Sequence, residues 1–201
     1  LVDTVIEDTT YISPVEAPQD KRVLMEEFTG VRCVNCPQGH ALIEDLGEQY
    51  GDRFIALSIH SSFLADPYPG DPDLRVPVAD QMEDFLGGAQ GKPAAAVDRK
   101  LYSTSERLLE PTTKWAGFVN ERIQDATPVN VTVEGTGDVT SRTLNARVII
   151  HYTQEITEQH NITVAVLEDG IITTQKGDGG DIEGYVQNKV LRALLTGFDG
   201  Q

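Results

Sequence analysis

The sequence predicts an α/β domain followed by an antiparallel β region, on three observations. Between Arg22 and Asp125, apolar runs of strand length alternate with segments of helical spacing. After Ala126 the apolar period falls to two. The two cysteines, Cys33 and Cys36, lie where the first strand gives way to the first helix.

The elements follow in order. The first twenty residues hold one apolar stretch, Leu1 to Ile6, and the segment ISPVEAPQD, whose prolines discourage helix; they read as an edge strand or extended lead-in. RVLMEEFTG, from Arg22, reads as a strand ending in Thr29-Gly30. In ALIEDLGEQY, Leu42, Ile43, Leu46 and Tyr50 recur at helical spacing. RFIALSIH is apolar enough for a strand buried on both faces. It opens into a proline- and aspartate-rich loop from Ser61 to Pro77, and loops of that length inside a domain are often functional. VADQMEDFLGG predicts a second helix with Val78, Met82 and Phe85 on one stripe and a glycine stop. QGKPAAAVDRKLY is a turn and a short strand, and SERLLEPTTKWAGFVNERIQD is a third helical region buried through Trp115, Phe118, Val119 and Ile123.

In the β region, PVNVTVEG puts Val129, Val131 and Val133 on one face, and TLNARVIIHY does the same with Leu144, Ala146, Val148 and Ile150. NITVAVLEDGIITTQ continues through Ile162, Val164 and Val166, with Asp169-Gly170 as a hairpin turn. The closing YVQNKVLRALLTGFDGQ has no clear strand pattern. A sandwich uses about seven strands, so a sandwich-like domain here is expected to be completed by chain after Gln201. The expected organisation is a lead-in over 1–19, an α/β domain over 20–126 and a β domain over 127–201.

Composition narrows function. Acidic residues outnumber basic ones 32 to 16, for a net charge of -16, which repels phosphate backbones and argues against a nucleic-acid partner. No apolar run approaches the roughly 18 residues of a spanning helix. The chain begins at Leu1 with no basic-then-apolar leader, which permits secretion with a removed signal segment.

The chemistry concentrates in GVRCVNCPQGH. Cysteines at i and i+3 on a first helical turn bring both sulfurs to one face, close enough for a small-ring disulfide. The helix amino terminus and Arg32 both favour a thiolate, which makes Cys33 the expected nucleophile. Pro37 suits the first turn, where its missing N–H has no partner to lose. His40 shares the stripe with both cysteines. A metal site needs four ligands, however, and no second Cys/His cluster is visible, so no metal and no cofactor are expected. His60 ends the second strand; if that strand is parallel to the first, His60, the Ser61–Pro77 loop and the cysteine turn share one end of the sheet, with Phe63 and Tyr68 as a rim. His151 and His160 read as ordinary β-region residues, and the Asn130 and Asn161 sequons as chance.

VLMEEFTGVRCVNCP followed at a distance by GKPAAAVD resembles the thioredoxin fold, over about Val23 to Asp125. The resemblance implies that Cys33 attacks a substrate disulfide and Cys36 resolves the mixed disulfide. It places Glu27, six residues before Cys33, as the buried carboxylate that accepts the proton of Cys36, with Glu26 as the competitor after a one-residue strand shift. It also implies a cis peptide at Lys92-Pro93, beside the disulfide. Arg32 stands where tryptophan is usual and Val34-Asn35 where Gly-Pro is usual, so Arg32, Val34, Asn35 and Lys92 form the expected substrate surface, with His40 and His60 as accessories.

The same motifs, together with ITVAVLEDGIITTQ and VQNKVLRALLTG, resemble the twenty-eight-kilodalton outer-membrane protein family of Bacteroidetes, lipoproteins with a thioredoxin-like domain and a β-sandwich. That resemblance implies a cell-envelope location and a membrane tie only through an N-terminal lipid anchor. The expected function is thiol–disulfide exchange with protein thiols or disulfides. The alternative is a non-catalytic surface module with a static disulfide.

Overall fold

Strand β1 (Val23–Thr29) organises the larger of two compact units, because its residues are almost all buried. The computed structural model describes residues 16–200. One unit comprises residues 22–124 with 161–200, and the other residues 16–21 with 125–160. The expected strand at Leu1 to Ile6 lies outside the described residues.

In the larger unit, β1 is followed by α1 (Cys36–Tyr50), β2 (Phe54–His60), α2 (Ala79–Phe85), β3 (Ala94–Val97), β4 (Glu110–Pro111) and α3 (Thr112–Arg122). After the excursion through the smaller unit come β7 (Ala165–Glu168), β8 (Ile171–Gly177), β9 (Gly180–Gln187) and β10 (Val190–Leu194). Six strands form one mixed sheet in the order β4-β3-β1-β2-β10-β7. β1 and β2 are parallel, with Glu27 opposite Ser58 and Thr29 opposite His60, while β3 runs antiparallel to β1.

Period-two alternation sends β1 residues to two cores. Val23 and Met25 meet α1 and α3 through Ile43, Leu46, Trp115 and Val119. Phe28, with Leu57 and Ile59 of β2, meets α2 through Ala79, Met82 and Leu86. Phe85, expected on the buried stripe of α2, is 53% exposed; Leu86 is buried in its stead, one residue past the helix end. All four expected core residues of α3 are buried.

The smaller unit holds, among the described residues, the antiparallel pair β5 (Val129–Asp138) and β6 (Thr143–Tyr152), in register from Val129–Tyr152 to Asp138–Thr143. The buried Asn130 ties residues 16–21 to it, accepting from the Gln19 N–H at 2.9 Å and donating to the Ala17 carbonyl at 2.9 Å.

The expectation of one β domain over 127–201 is corrected. Residues 161–200 belong with the α/β unit, because β10 inserts beside β2 and buries Val190 and Leu191 completely or nearly so. Asp169-Gly170 joins β7 to β8 but closes no hairpin: β7 pairs with β10, and β8 pairs with β9. The segment without a strand pattern supplies the end of β9 and all of β10. Its signal is weak because β10 is only five residues long and has an arginine at its centre.

This placement gives a test. Leu191→Ala should lower the stability of the α/β unit by about 2–4 kcal/mol, read by denaturant titration of the fluorescence of Trp115, the single tryptophan. An unchanged Trp115 transition would mean that residues 161–200 fold separately.

Candidate functional site

Polar residues gather at one end of an apolar sheet face. Thr29 and Glu27 of β1 and His60 and Ser58 of β2 follow the alternation that sends Met25 and Ala56 toward α1, and all four are buried. α1 then begins at Cys36, with Asn35 as its N-cap and Pro37 in the first turn. Cys33 therefore precedes the helix and does not lie in its first turn as expected. It occupies the connecting turn, where its N–H donates to the Gly30 carbonyl at 3.0 Å and its own carbonyl accepts from the Cys36 N–H at 3.3 Å. The two cysteines form a disulfide with Cα atoms 5.4 Å apart. Both are buried, Cys33 at 4% exposure and Cys36 at 0%.

Behind the helix start, Glu27 accepts a hydrogen bond from Ser58 at 3.0 Å through Oε2. Oε1 has no hydrogen-bond partner and lies 3.5 Å from His40 Nε2. Burial drives the Glu27 carboxyl above its ordinary range, against the opposing pull of His40, Ser58, Thr29 and Lys92. His40 bridges outward: Nε2 is 2.9 Å from Thr29 Oγ1, and Nδ1 is 2.8 Å from the Tyr185 hydroxyl. His60 is buried with neither ring nitrogen hydrogen-bonded, and burial, with the charges of His40 and Lys92, pushes it down to about 3. It is neutral at any ordinary pH. Glu26, the competitor for Glu27, faces the opposite side and is held by Arg99 through two bonds of 2.7 Å.

The Lys92-Pro93 peptide is cis, as expected. Pro93 packs on the first turns of α1 at Gly39, where an added Cβ would lie 2.8 Å from Pro93 Cγ and 3.2 Å from the Trp115 ring. A cleft of about 650 Å3 opens here, lined by Asn35 and Gln38 from α1, by Gly91 to Ala94, and by segments between Thr104 and Lys114. Among the expected substrate-contacting residues, Asn35 and Lys92 line this cleft. The Lys92 ammonium turns away from it, to the Ser61 carbonyl at 2.5 Å and Glu83 at 3.0 Å. Val34 is exposed. The Arg32 guanidinium donates to the carbonyls of Asp66 at 2.8 Å and Pro67 at 2.9 Å and stacks on Tyr68 at 4.4 Å, so it secures the Ser61–Pro77 loop to the cysteine turn. Phe63 is exposed on that loop.

The other side of the turn is covered by the β8–β9 hairpin, which sequence reasoning missed. Gln175 Nε2 donates to the carbonyls of Gly30 at 3.2 Å and Cys33 at 3.1 Å, and the Lys176 N–H donates to the Val31 carbonyl at 2.7 Å. Gln187 in turn donates to Gln175 Oε1 at 3.0 Å. Thr29 and Ser58 were also missed, although polar residues at every second position of EEFT and LSIH carried a readable signal. Nothing local marks Gln175 or Tyr185, since their place depends on β10 joining the sheet.

Two tests follow from this geometry. The lowered His60 value means that stability is full above pH 6.5 and is lost as pH falls toward 3, by about 3 kcal/mol between pH 7 and pH 4. Glu27 acts oppositely: its raised value removes stability as pH rises from 4.5 through the folded-state value. Urea midpoints should therefore show His60→Leu flattening the acid limb and Glu27→Gln flattening the alkaline one; unchanged limbs would contradict the burial. Separately, Gly39→Ala should cost about 1–3 kcal/mol, since neither Pro93 nor Trp115 can move freely; no loss of stability would show that the packing at Pro93 is loose.

Comparison with known proteins places the chain. No curated protein sequence matches it. Its structure is similar to that of HBP35 of Porphyromonas gingivalis, with a TM-score of 0.66 at 18% identity, covering 92% of this chain and 60% of that one. It is also similar to a structural-genomics protein of Agrobacterium tumefaciens, with a TM-score of 0.52 at 17% identity, covering 89% of this chain and 73% of that one. These likenesses concern the fold. The family described as Outer membrane protein Omp28 matches residues 79–201, from α2 through cis-Pro93 to the C-terminal strands, though not the cysteine turn. With well over half its length matched, the chain belongs to the Omp28 outer membrane protein family and is a protein of the cell envelope.

Proposed function

We propose that this Omp28-family chain is a thiol–disulfide exchange protein of the cell envelope, built on a thioredoxin-like fold. The observation that carries the reading is the convergence on one helix start of a C-x-x-C disulfide, a cis-proline packed against the same turns, and a buried carboxyl raised toward neutrality. The parallel β1–β2 pair with β3 antiparallel beside β1 supports the fold assignment.

In the reducing direction, the Cys33 thiolate attacks a substrate sulfur. A Cys33–substrate disulfide forms and the first substrate thiolate leaves. Cys36 then gives its proton to the Glu27 carboxylate and attacks Cys33, forming the internal disulfide and releasing the second thiolate; two electrons pass to the substrate. Glu27 suits the acceptor's role because its raised value brings it nearer to a thiol's. The cleft along Asn35, Gln38 and Pro93 would hold the substrate chain, whose partners are proteins bearing thiols or disulfides.

One observation favours a second reading, a surface module with a static disulfide: Cys33 is nearly buried, and Gln175 and Lys176 hold its turn under the hairpin.

Equilibration of the full chain with glutathione buffers decides between them. Exchange predicts a potential more oxidising than the roughly -300 mV of structural disulfides and, in the reduced protein, alkylation of Cys33 at a pH below the roughly 8.5 of a free thiol. A lower potential with ordinary alkylation would support the static module.

A further inference from the structure

The proton that Cys36 gives up must leave a carboxyl with no exposed surface, and one route outward is built of side chains. Glu27 is 0% exposed. Its unbonded oxygen, Oε1, lies 3.5 Å from His40 Nε2; His40 Nδ1 lies 2.8 Å from the Tyr185 hydroxyl; and Tyr185, on β9, is only partly buried. The rings of His40 and Tyr185 are 5.8 Å apart at a tilt of 46°, so they are joined by the hydrogen bond and do not stack. Resting on the exchange reading above, we propose that His40 is the proton-passing residue of the exchange reaction, carrying the Glu27 proton out to solvent along the Tyr185 hydroxyl.

The neighbours fit that role. In the tautomer that carries its ring proton on Nδ1, His40 donates to the Tyr185 hydroxyl and presents Nε2 as an acceptor toward Glu27 and Thr29. When the Glu27 proton moves to Nε2, the Nδ1 proton passes to the phenol oxygen and the phenol's own proton passes to water. Each bond formed is matched by one broken, and His40 returns to its starting state by ring reorientation or by reverse transfer on the opposite half-cycle. Burial and the negative charges of Glu44 and Glu27 push the Tyr185 hydroxyl up to about 12, so it relays a proton without holding a negative charge.

The groups facing this path from each packed element are few. β1 contributes Thr29; β2 contributes Ser58 and the neutral His60; Lys92 approaches from the turn before β3; and Glu44 lies on α1 itself. Lys92 is committed to Ser61 and Glu83, and His60 makes no hydrogen bond through either ring nitrogen, so His40 is the member of this set that joins Glu27 to a partly exposed hydroxyl. Its position four residues after Cys36 on α1 fixes it to the same helix that carries the resolving cysteine.

The test separates the two chemical steps of the full chain reacting with glutathione, by stopped-flow quenching and mass analysis across pH 5–9. His40→Ala and His40→Gln should slow resolution of the mixed disulfide by at least about tenfold at pH 7, relative to the step that forms it. Added imidazole should restore the Ala variant but leave wild type unchanged. Tyr185→Phe, which keeps the ring, should slow resolution less and leave its pH profile otherwise like that of wild type. If wild type resolves its mixed disulfide while the His40 variants match it, or are slowed without imidazole rescue, His40 is not in the path and the exchange reading stands alone. If wild type forms no mixed disulfide, the exchange reading and the relay both fall.

Discussion

Removing a carboxyl group from water beside His40 of α1 is the constraint around which the larger unit is arranged. Glu27 is completely buried, one oxygen is bonded to Ser58, and the other lies 3.5 Å from His40 Nε2. A carboxylate so placed is costly when charged, which is why its proton is held more tightly than usual. In the proposed exchange reaction the carboxyl has a use there, because Cys36, at the start of α1, must give up a proton when it resolves the mixed disulfide.

The architecture holds those groups together from several directions. β1 and β2, parallel and in register, deliver Glu27, Thr29, Ser58 and His60 to one face. The absence of a side chain at Gly39 lets cis-Pro93 and Trp115 close on α1, and the absence of one at Gly30 lets the Leu64 carbonyl approach the cysteine turn. From the far end of the sequence, β10 enters the sheet beside β2, and the β8–β9 hairpin beside it brings Gln175 and Tyr185 onto that turn and His40. Residues separated by more than 140 positions therefore share one site. The Omp28 match begins at residue 79, so it covers this covering hairpin and the proline, and the cysteines meet them from outside the matched region.

Much of this was legible in the sequence. The strand–helix alternation up to α3 and the burial of Trp115 follow from local patterns whose period survives in a single stretch of chain, and the cis bond at Pro93 from the resemblance carried by GKPAAAVD. Cys33, Cys36, His40 and His60 were candidates from type and spacing and Glu27 from the resemblance; the cysteines pair in a disulfide and Glu27 meets His40. What could not be read depends on pairing at a distance. Val190 to Leu194 carry an arginine in a short strand, and only burial between β2 and β7 shows why they are a strand. The roles of Arg32 and Lys92 likewise turned on partners remote in sequence: the carbonyls of Asp66 and Pro67 for one, and Ser61 and Glu83 for the other.

The central claim is that Glu27 is a buried, proton-exchanging partner of the cysteine pair. It is tested most directly by following the Glu27 side-chain carboxyl carbon by NMR in the 13C-Glu-labelled full chain, through a pH titration of the oxidised and the reduced protein, with Glu27→Gln assigning the resonance. Coupling predicts a midpoint above the ordinary 4.5 in the disulfide form and a displaced midpoint after reduction. A midpoint near 4.5 that is identical in the two forms would contradict it.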